Sequence, residues 1–261
     1  MIKRVTIPTA VFSAALLLQA CSDSGQSTSG PPEPRPMSKF TTSTYRDRDA
    51  DWSPDGEWIL FGSVRSGNED IWKKRVAGGE AIQLTDATSR EDYAVWSPTG
   101  DRIAFSSNRD GPGNIYTMSA AGGEWTRVTQ DADAAWESGP FGSVIDWSPD
   151  GEWIVYTKDV GGTTRNPTTH LWAISVDGTQ RRQLTSGEFS DRLPNWSPDG
   201  EWIAFDSNRG EDTGADIWLV SADGKTLRQL TSAPNAQWAP SWSPDGEWIA
   251  YQGSSEGVQS I

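Results

Sequence analysis

The eight residues WSPDGEWI occur four times in this chain of 261 residues, beginning at Trp52, Trp147, Trp196 and Trp242. A variant, WSPTGDRI, begins at Trp96. The starting positions give a period of roughly 44–51 residues. A catalytic site is needed once, whereas a packing unit is repeated as often as it is stacked. The repetition therefore indicates a repeat architecture.

Each copy of the repeat reads as four short strands with turns between them. The PDG turn follows the first strand, and a run such as EWIAF at 201–205 forms the second. The third strand begins with DIW, NIY or HLW, and the fourth ends in QLT or RVT. Short runs rich in β-branched and aromatic residues predict an all-β chain. The period suits a four-stranded propeller blade.

The second strand of the repeat is apolar on both faces. Trp202 and Ala204 point to one side, and Ile203 and Phe205 point to the other. Such a strand has to be covered on both sides, as a blade is by its two neighbours. The 15 Trp residues supply the apolar area for this packing.

The fold class predicted is therefore an all-β β-propeller of four-stranded antiparallel blades, with five blades favoured. Phe40 stands twelve residues before Trp52, as Leu84 stands before Trp96. We expect KFTT, which contains Phe40, to be the fourth strand of the last blade and residues 257–261 to be its third strand, which would close the ring. The alternative is an incomplete six-bladed ring.

The chain begins with the features of a signal peptide over residues 1–20. A basic MIKR precedes an apolar stretch that ends at LQAC, whose last residue is Cys21. This combination resembles a bacterial lipoprotein signal, which implies lipidation of Cys21. Residues 21–38 then comprise the lipidated Cys and a flexible Ser/Gly/Pro tether, and residues 39–261 form the propeller. In the lipoproteins that this signal resembles, a residue such as Ser22 after the cysteine implies transport to the outer membrane. We therefore expect the protein in the bacterial cell envelope, at the outer membrane and facing the periplasm.

The formal net charge of -14 makes nucleic acid an unexpected partner, because phosphate binding needs a basic stripe. A protein partner or a small ligand fits better, and we expect a monomer attached to the membrane through its N-terminal lipid. Cys21 is the only cysteine, so no disulfide forms within the chain.

The repeats resemble the WD-like β-propeller repeats of TolB and of the propellers attached to tricorn and prolyl oligopeptidase-type peptidases. The resemblance rests on the WSPDG turns, SNRDG at 107–111, SNRG at 207–210, and the DIW and QLT strands. It covers residues 39–261 and implies a fold more than a function. The chemistry of those peptidases lies outside their propellers, so the resemblance does not import it.

The chain offers little for catalysis. His170 is the only histidine, it occupies a strand-start position, and no GxSxG motif occurs. The aspartates of the PDG turns are interpreted as turn formers. We therefore expect no enzyme, no cofactor and no metal. The alternatives are a metal-dependent carbohydrate-active enzyme, or the propeller remnant of a prolyl oligopeptidase or tricorn-type peptidase.

The function that remains is a lipid-anchored, extracytoplasmic binding scaffold without catalysis. Recognition is expected on the rim opposite the PDG turns, where the loops vary from repeat to repeat. Aromatic and arginine side chains are the usual anchors of a binding surface. The candidates on this rim are Trp136, Phe141, Trp238, Tyr93, Phe189, Arg109 and Arg209.

Overall fold

The computed structural model describes residues 2–4, 40–41, 44–111, 113–129, 144–163, 166–210, 214–232, 234–255 and 258–260. The secondary-structure elements assigned within these ranges are all β-strands, which confirms the predicted all-β class. Cys21, most of the signal and tether, Trp136 and Phe141 lie outside the described residues. In the ranges given, we find no helix that could span a bilayer.

Four antiparallel sheets are each built from four consecutive strands, and we term them blades 1 to 4. Blade 1 contains β2 (Asp47–Trp52), β3 (Trp58–Ser63), β4 (Asp70–Arg75) and β5 (Ile82–Gln83). Blade 2 contains β6 (Glu91–Trp96), β7 (Arg102–Ser107), β8 (Asn114–Ser119) and β9 (Trp125–Arg127). Blade 3 contains β10 (Ile145–Trp147), β11 (Trp153–Thr163), β12 (Asn166–Ser175) and β13 (Arg181–Gln183). Blade 4 contains β14 (Asp191–Trp196), β15 (Trp202–Ser207), β16 (Asp216–Ser221) and β17 (Leu227–Gln229).

A fifth sheet is assembled from both ends of the chain. It contains β1 (Ile2–Arg4), β18 (Gln237–Trp242), β19 (Trp248–Ser255) and β20 (Val258–Ser260). β20 pairs with β19, which confirms that the last residues supply a third strand. The same edge of β19 also pairs with β1, in a register that places Lys3 opposite Ile249. The count of five closed blades stays a prediction.

The segment around Phe40 does not close the fifth sheet, so this expectation is wrong. Phe40 and Thr41 are not in a strand. Phe40 instead lies against blade 1, where the Lys74 Nζ stands 5.1 Å from its ring centroid and donates a 3.0 Å hydrogen bond to its carbonyl oxygen. Leu84 packs in the same way against blade 2. At Leu84 the backbone also pairs with the third strand, because its N–H donates to the Ile71 carbonyl oxygen at 2.8 Å, whereas at Phe40 the spacing indicates only which blade the side chain contacts.

In blades 2 to 4, the two faces of the second strand pack against different neighbours, as predicted. In β15, Ile203 and Phe205 join a cluster with residues of blade 3, while Ala204 and Trp202 join a cluster with Trp242 of the fifth sheet. Ile203, Ala204 and Phe205 are fully buried. The propeller core is therefore a series of layers between consecutive sheets, and no sheet is stable alone.

The first tryptophan of the repeat shows which layers are present. Trp96, Trp147, Trp196 and Trp242 are 8%, 5%, 7% and 8% exposed, because each packs against the preceding blade. Trp52, at the same position in blade 1, is 57% exposed. The face of blade 1 that carries Trp52, termed its outward face, is therefore exposed, whereas the corresponding faces of the other sheets are covered by the preceding blade.

Candidate functional site

The WSPDG turns form one end of the propeller, termed here the turn rim. The Ser53 hydroxyl donates to Asp55 Oδ1 at 2.5 Å and accepts from the Trp58 backbone N–H at 2.8 Å. Asp55 Oδ1 also accepts from the Glu57 N–H at 2.9 Å. Gly56 adopts a φ of 70°, which favours glycine. The same bonds recur in the other WSPDG turns, so the aspartates are confirmed as turn formers.

The opposite end, termed the loop rim, consists of the loops after each second strand and the connections between blades. An asparagine in these loops holds the preceding connection in place. The Asn108 Oδ1 accepts from the Arg90 N–H at 2.9 Å, and the Asn208 Oδ1 accepts from the Ser190 N–H at 2.7 Å. The asparagine of the SNR motif therefore has a structural role in blades 2 and 4.

The arginine of the SNR motif is fixed by a first-strand carboxylate in blade 4. Arg209 forms an ion pair with Asp191, and its Nε donates to the Ser207 hydroxyl at 2.9 Å. Its guanidinium lies 5.2 Å from the ring centroid of Phe189, which is 37% exposed. Arg209 and Phe189 are thus two predicted rim residues in direct contact, with the arginine buried beneath an exposed aromatic ring.

The other described candidates are spread over blade 2 and the fifth sheet. Arg109 is exposed and stacks on Trp125 at 4.6 Å. The Trp238 Nε1 donates to Gln252 Oε1 at 2.8 Å. Tyr93 is half-buried at a strand irregularity with a φ of 50°, and burial raises its pKa to about 12. The residues equivalent to Tyr93 share this left-handed backbone, namely Asp49, Leu193 and Ala239.

Buried carboxylates lie between the first strands of the blades. The Asp51 Oδ2 accepts from the Trp96 N–H at 2.8 Å, and the Asp146 Oδ2 accepts from the Trp196 N–H at 2.7 Å. Each carboxylate therefore ties its own blade to a neighbouring one. Burial raises the pKa of Asp51 to about 6 and that of Asp146 to about 7. Asn195 makes the equivalent bond, since its Oδ1 accepts from the Trp242 N–H at 2.8 Å.

Two further buried carboxylates face arginines on the loop-rim side of the first strands. Arg90 Nη2 lies 3.0 Å from Asp92 Oδ2, and Arg192 Nε lies 3.3 Å from Asp206 Oδ2. Burial raises the pKa of Asp92 and of Asp206 to about 7 despite these arginines. Both groups therefore change charge near neutral pH.

His170 has a structural role in blade 3. Its Nδ1 lies 3.2 Å from the Gln183 amide nitrogen, and its Nε2 lies 2.8 Å from the Gly187 carbonyl oxygen. The equivalent residue in blade 1, Asp70, accepts from the Thr85 hydroxyl at 3.1 Å. The described part of the chain contains no group of three or more His, Cys, Asp or Glu side chains placed to hold a metal ion.

The residues that sequence reasoning missed are Trp125, Glu91 and the buried carboxylates. Trp125 stands in an outer strand, where the repeat pattern has no aromatic position. Glu91 could have been found by aligning the first strands of the blades, because it stands where positions 47 and 191 have aspartate. Asp51 and Asp146 could have been found from their position, because each directly precedes a repeated tryptophan.

The fold is a β-propeller with the WSPDG turns at one end and the loops after the second strands at the other. Comparisons with known families agree. Residues 66–181 match the model of the tricorn protease N-terminal β-propeller domain, and residues 146–261 match the TolB β-propeller domain. Each match covers less than half of the chain, and both agree with the β-propeller fold seen in the structure.

Solved structures with this fold include proteins named as TolB and a lyase. A protein named as TolB from Agrobacterium tumefaciens is 25% identical, with a TM-score of 0.68 over 83% of this chain and 73% of that one. TolB from Acinetobacter baumannii is 20% identical, with a TM-score of 0.66 over 83% and 51%. An oligogalacturonate lyase in complex with manganese is 20% identical, with a TM-score of 0.59 over 79% and 58%. The last two likenesses concern the fold alone.

A curated relative matches a single stretch of the chain. An uncharacterized protein of Agrobacterium fabrum is 42% identical over 48 residues, which are 18% of this chain and 16% of that protein. The chain thus spans a small part of this relative, and the two share about one repeat.

Proposed function

We propose that this chain is a lipid-anchored, extracytoplasmic binding protein of the bacterial cell envelope, and that its loop rim binds a protein partner without catalysis. The observation that carries the proposal is the fixed aromatic surface of blade 4. Arg209 is paired with Asp191 and Ser207, and its guanidinium lies against the ring of the exposed Phe189. A preorganised aromatic anchor loses little conformational entropy when it binds.

The TolB-type fold supports this proposal at a coarse level, because a structure named as TolB is 25% identical over most of this chain. The LQAC sequence at 18–21 motivates the lipid anchor and the envelope location. The outer membrane, facing the periplasm, remains part of the proposal.

The rim is tested by capturing partners from envelope extracts with the wild-type chain and with a Phe189→Ala/Trp238→Ala double variant. We expect the variant to lose the captured protein while keeping the melting temperature of the wild type, because both side chains are partly exposed. Undiminished capture by the variant would contradict the proposed surface.

The anchor is tested by growing a bacterial host with a clickable palmitate analogue. We expect the label on the wild-type chain and none on the Cys21→Ala variant. An unlabelled wild-type chain would rule out lipid anchoring and leave the binding role to be judged by the capture experiment.

A further inference from the structure

In blades 1 and 4, the arginine of the loop after the second strand makes the same two contacts, one with a serine and one with an aspartate. In blade 1, the Arg65 Nε donates to the Ser63 hydroxyl at 2.9 Å, and Arg65 Nη2 lies 2.8 Å from Asp47 Oδ1. Arg209 repeats both contacts in blade 4. In these blades, the arginine serves the fold and its charge is neutralised.

Blade 2 breaks this arrangement, because Glu91 stands where the other two blades have aspartate. The Ser107 hydroxyl donates to Glu91 Oε1 at 2.8 Å, and the Ser89 hydroxyl donates to the same oxygen at 2.5 Å. The Ser107 hydroxyl thus contacts the glutamate and accepts from the Arg109 backbone N–H at 3.2 Å, whereas its counterparts in blades 1 and 4 accept from the arginine Nε. Among the described residues, Glu91 Oε2 is buried without a hydrogen-bond partner, and Arg109 forms no ion pair with Glu91.

Arg109 is consequently displaced outward. Blade 2 has Tyr116 where blades 1 and 4 have tryptophan, and the Tyr116 hydroxyl donates to Asp110 Oδ2 at 2.5 Å. The Arg109 guanidinium stacks instead on Trp125, with 4.6 Å between its Cζ and the ring centroid. Trp125 is itself held edge-on against Phe105, with the ring centroids 5.0 Å apart. Stacking fixes the guanidinium plane and leaves its N–H groups facing solvent.

The exposed arginine lines a groove of about 750 Å³ between the outer parts of blades 1 and 2. The groove is formed by residues 83–87, Arg109 and residues 123–125. Asp86, in the connection between the blades, and Glu124, in the turn between β8 and β9, are exposed in its lining. The groove therefore presents one oriented cation together with two carboxylates.

We propose that this groove, termed the Arg109 groove, binds a peptide segment that carries a carboxylate next to basic residues. The fork of Arg109 matches a carboxylate through two parallel hydrogen bonds. Asp86 and Glu124 attract the flanking basic residues and repel polyanions such as nucleic acid. The inference rests on the proposed function, which it deepens by naming a surface and the chemistry of its partner.

The proposal is tested with two fluorescein-labelled octapeptides that differ at one position. Both contain a central tripeptide, Lys-Glu-Lys in one and Lys-Gln-Lys in the other, within Gly and Ser residues and with amidated C-termini. Fluorescence anisotropy of the full chain at low ionic strength measures both dissociation constants. We expect the glutamate peptide to bind the wild type about tenfold more tightly, which corresponds to about 1.4 kcal/mol, because its carboxylate accepts two charged hydrogen bonds from Arg109.

Variants of equivalent arginines separate the groove from the fold. Arg109→Ala should remove the tenfold preference without lowering the melting temperature, because this side chain is exposed. Arg65→Ala should lower stability and keep the preference, because Arg65 is paired within blade 1. Arg109→Lys keeps the charge without the planar fork and should lose most of the preference.

A preference that survives Arg109→Ala, or a wild type that binds both peptides equally, would overturn the Arg109 groove. If partner capture still depends on Phe189 and Trp238 in that case, the proposed function stands and only the groove fails. If the peptide preference follows Arg109 while capture does not depend on Phe189 and Trp238, the groove stands and the proposed rim surface fails.

Discussion

Replacing Asp146 by asparagine removes a charge between blades 3 and 4 while keeping most of the contact that joins them. The Asp146 Oδ2 accepts from the Trp196 N–H at 2.7 Å and from the Asn195 side-chain amide at 3.0 Å. Asn195 shows that an amide oxygen serves at the equivalent position, since it accepts from the Trp242 N–H. The variant loses one bond, because the Trp147 N–H donates to the other carboxylate oxygen at 2.9 Å.

The size of the effect follows from the pKa of Asp146. Burial raises this pKa from its ordinary value of 3.8 to about 7. In the unfolded chain the proton leaves near pH 4, whereas in the folded chain it stays until about pH 7, so stability falls as pH rises between these values. Summed over that range, the buried charge costs about 4 kcal/mol, of which about 3 kcal/mol is lost between pH 5 and pH 8.

The free energy of unfolding is measured by urea titration of wild type and Asp146→Asn at pH 5 and pH 8. We expect the variant to gain about 3 kcal/mol relative to the wild type over this interval, which corresponds to a relative rise in melting temperature of roughly 6–12 °C. Asp245→Asn is the control, because hydrogen bonding lowers the pKa of Asp245 and keeps it ionised in both states over this range. A variant whose stability follows the pH profile of the wild type would refute a buried, protonated Asp146.

Trp196→Ala should lower the free energy of unfolding by about 3–5 kcal/mol, whereas Trp52→Ala should change it far less, because Trp196 is 7% and Trp52 is 57% exposed. Equal losses in chemical denaturation would mean that the outward face of blade 1 is covered in solution. His170→Asn should keep the fold and its melting temperature within a few degrees, because Asn114 holds the same position in blade 2 and accepts from Thr129 at 2.9 Å. Elemental analysis of the wild type should find no stoichiometric transition metal, and a bound metal lost in His170→Asn would favour the metal-dependent enzyme.

Much of the fold follows from local signals in the sequence. The PDG turn places a glycine where the backbone is left-handed, as the φ of 76° at Gly200 confirms. The apolar residues on both faces of a strand such as β15 require a neighbour on each side. Phe40 shows the limit of this reasoning, because its spacing from Trp52 indicates a packing partner, while backbone pairing depends on which free edge is near.

The candidate site was less predictable because identical motifs have different surroundings. Arg109 and Arg209 both follow Ser-Asn, yet one is exposed on Trp125 and the other is buried on Asp191. The difference comes from Glu91, which is distant in sequence and opposite Ser107 in the strand register. Asp191 stands opposite Ser207 in the same register, so a change of residue type at a paired position separates the two arginines. The sequence motif around the arginine does not show this pairing.

The position before each repeated tryptophan connects the stability of the propeller with the charge in its interior. Asp51 and Asp146 hold the backbone of another blade, and the neutral Asn195 does the same. The contact therefore does not require a charge, and the two buried carboxylates lower stability near neutral pH beyond what this bond demands. A buried tryptophan removes about 150–250 Å² from water, which at about 25 cal/mol per Å² stabilises the fold by about 4–6 kcal/mol before entropy is counted. The free energy gained by burying one tryptophan is thus as large as the free energy lost by burying one carboxylate. The propeller therefore stays folded with carboxylates between its blades that titrate near neutral pH.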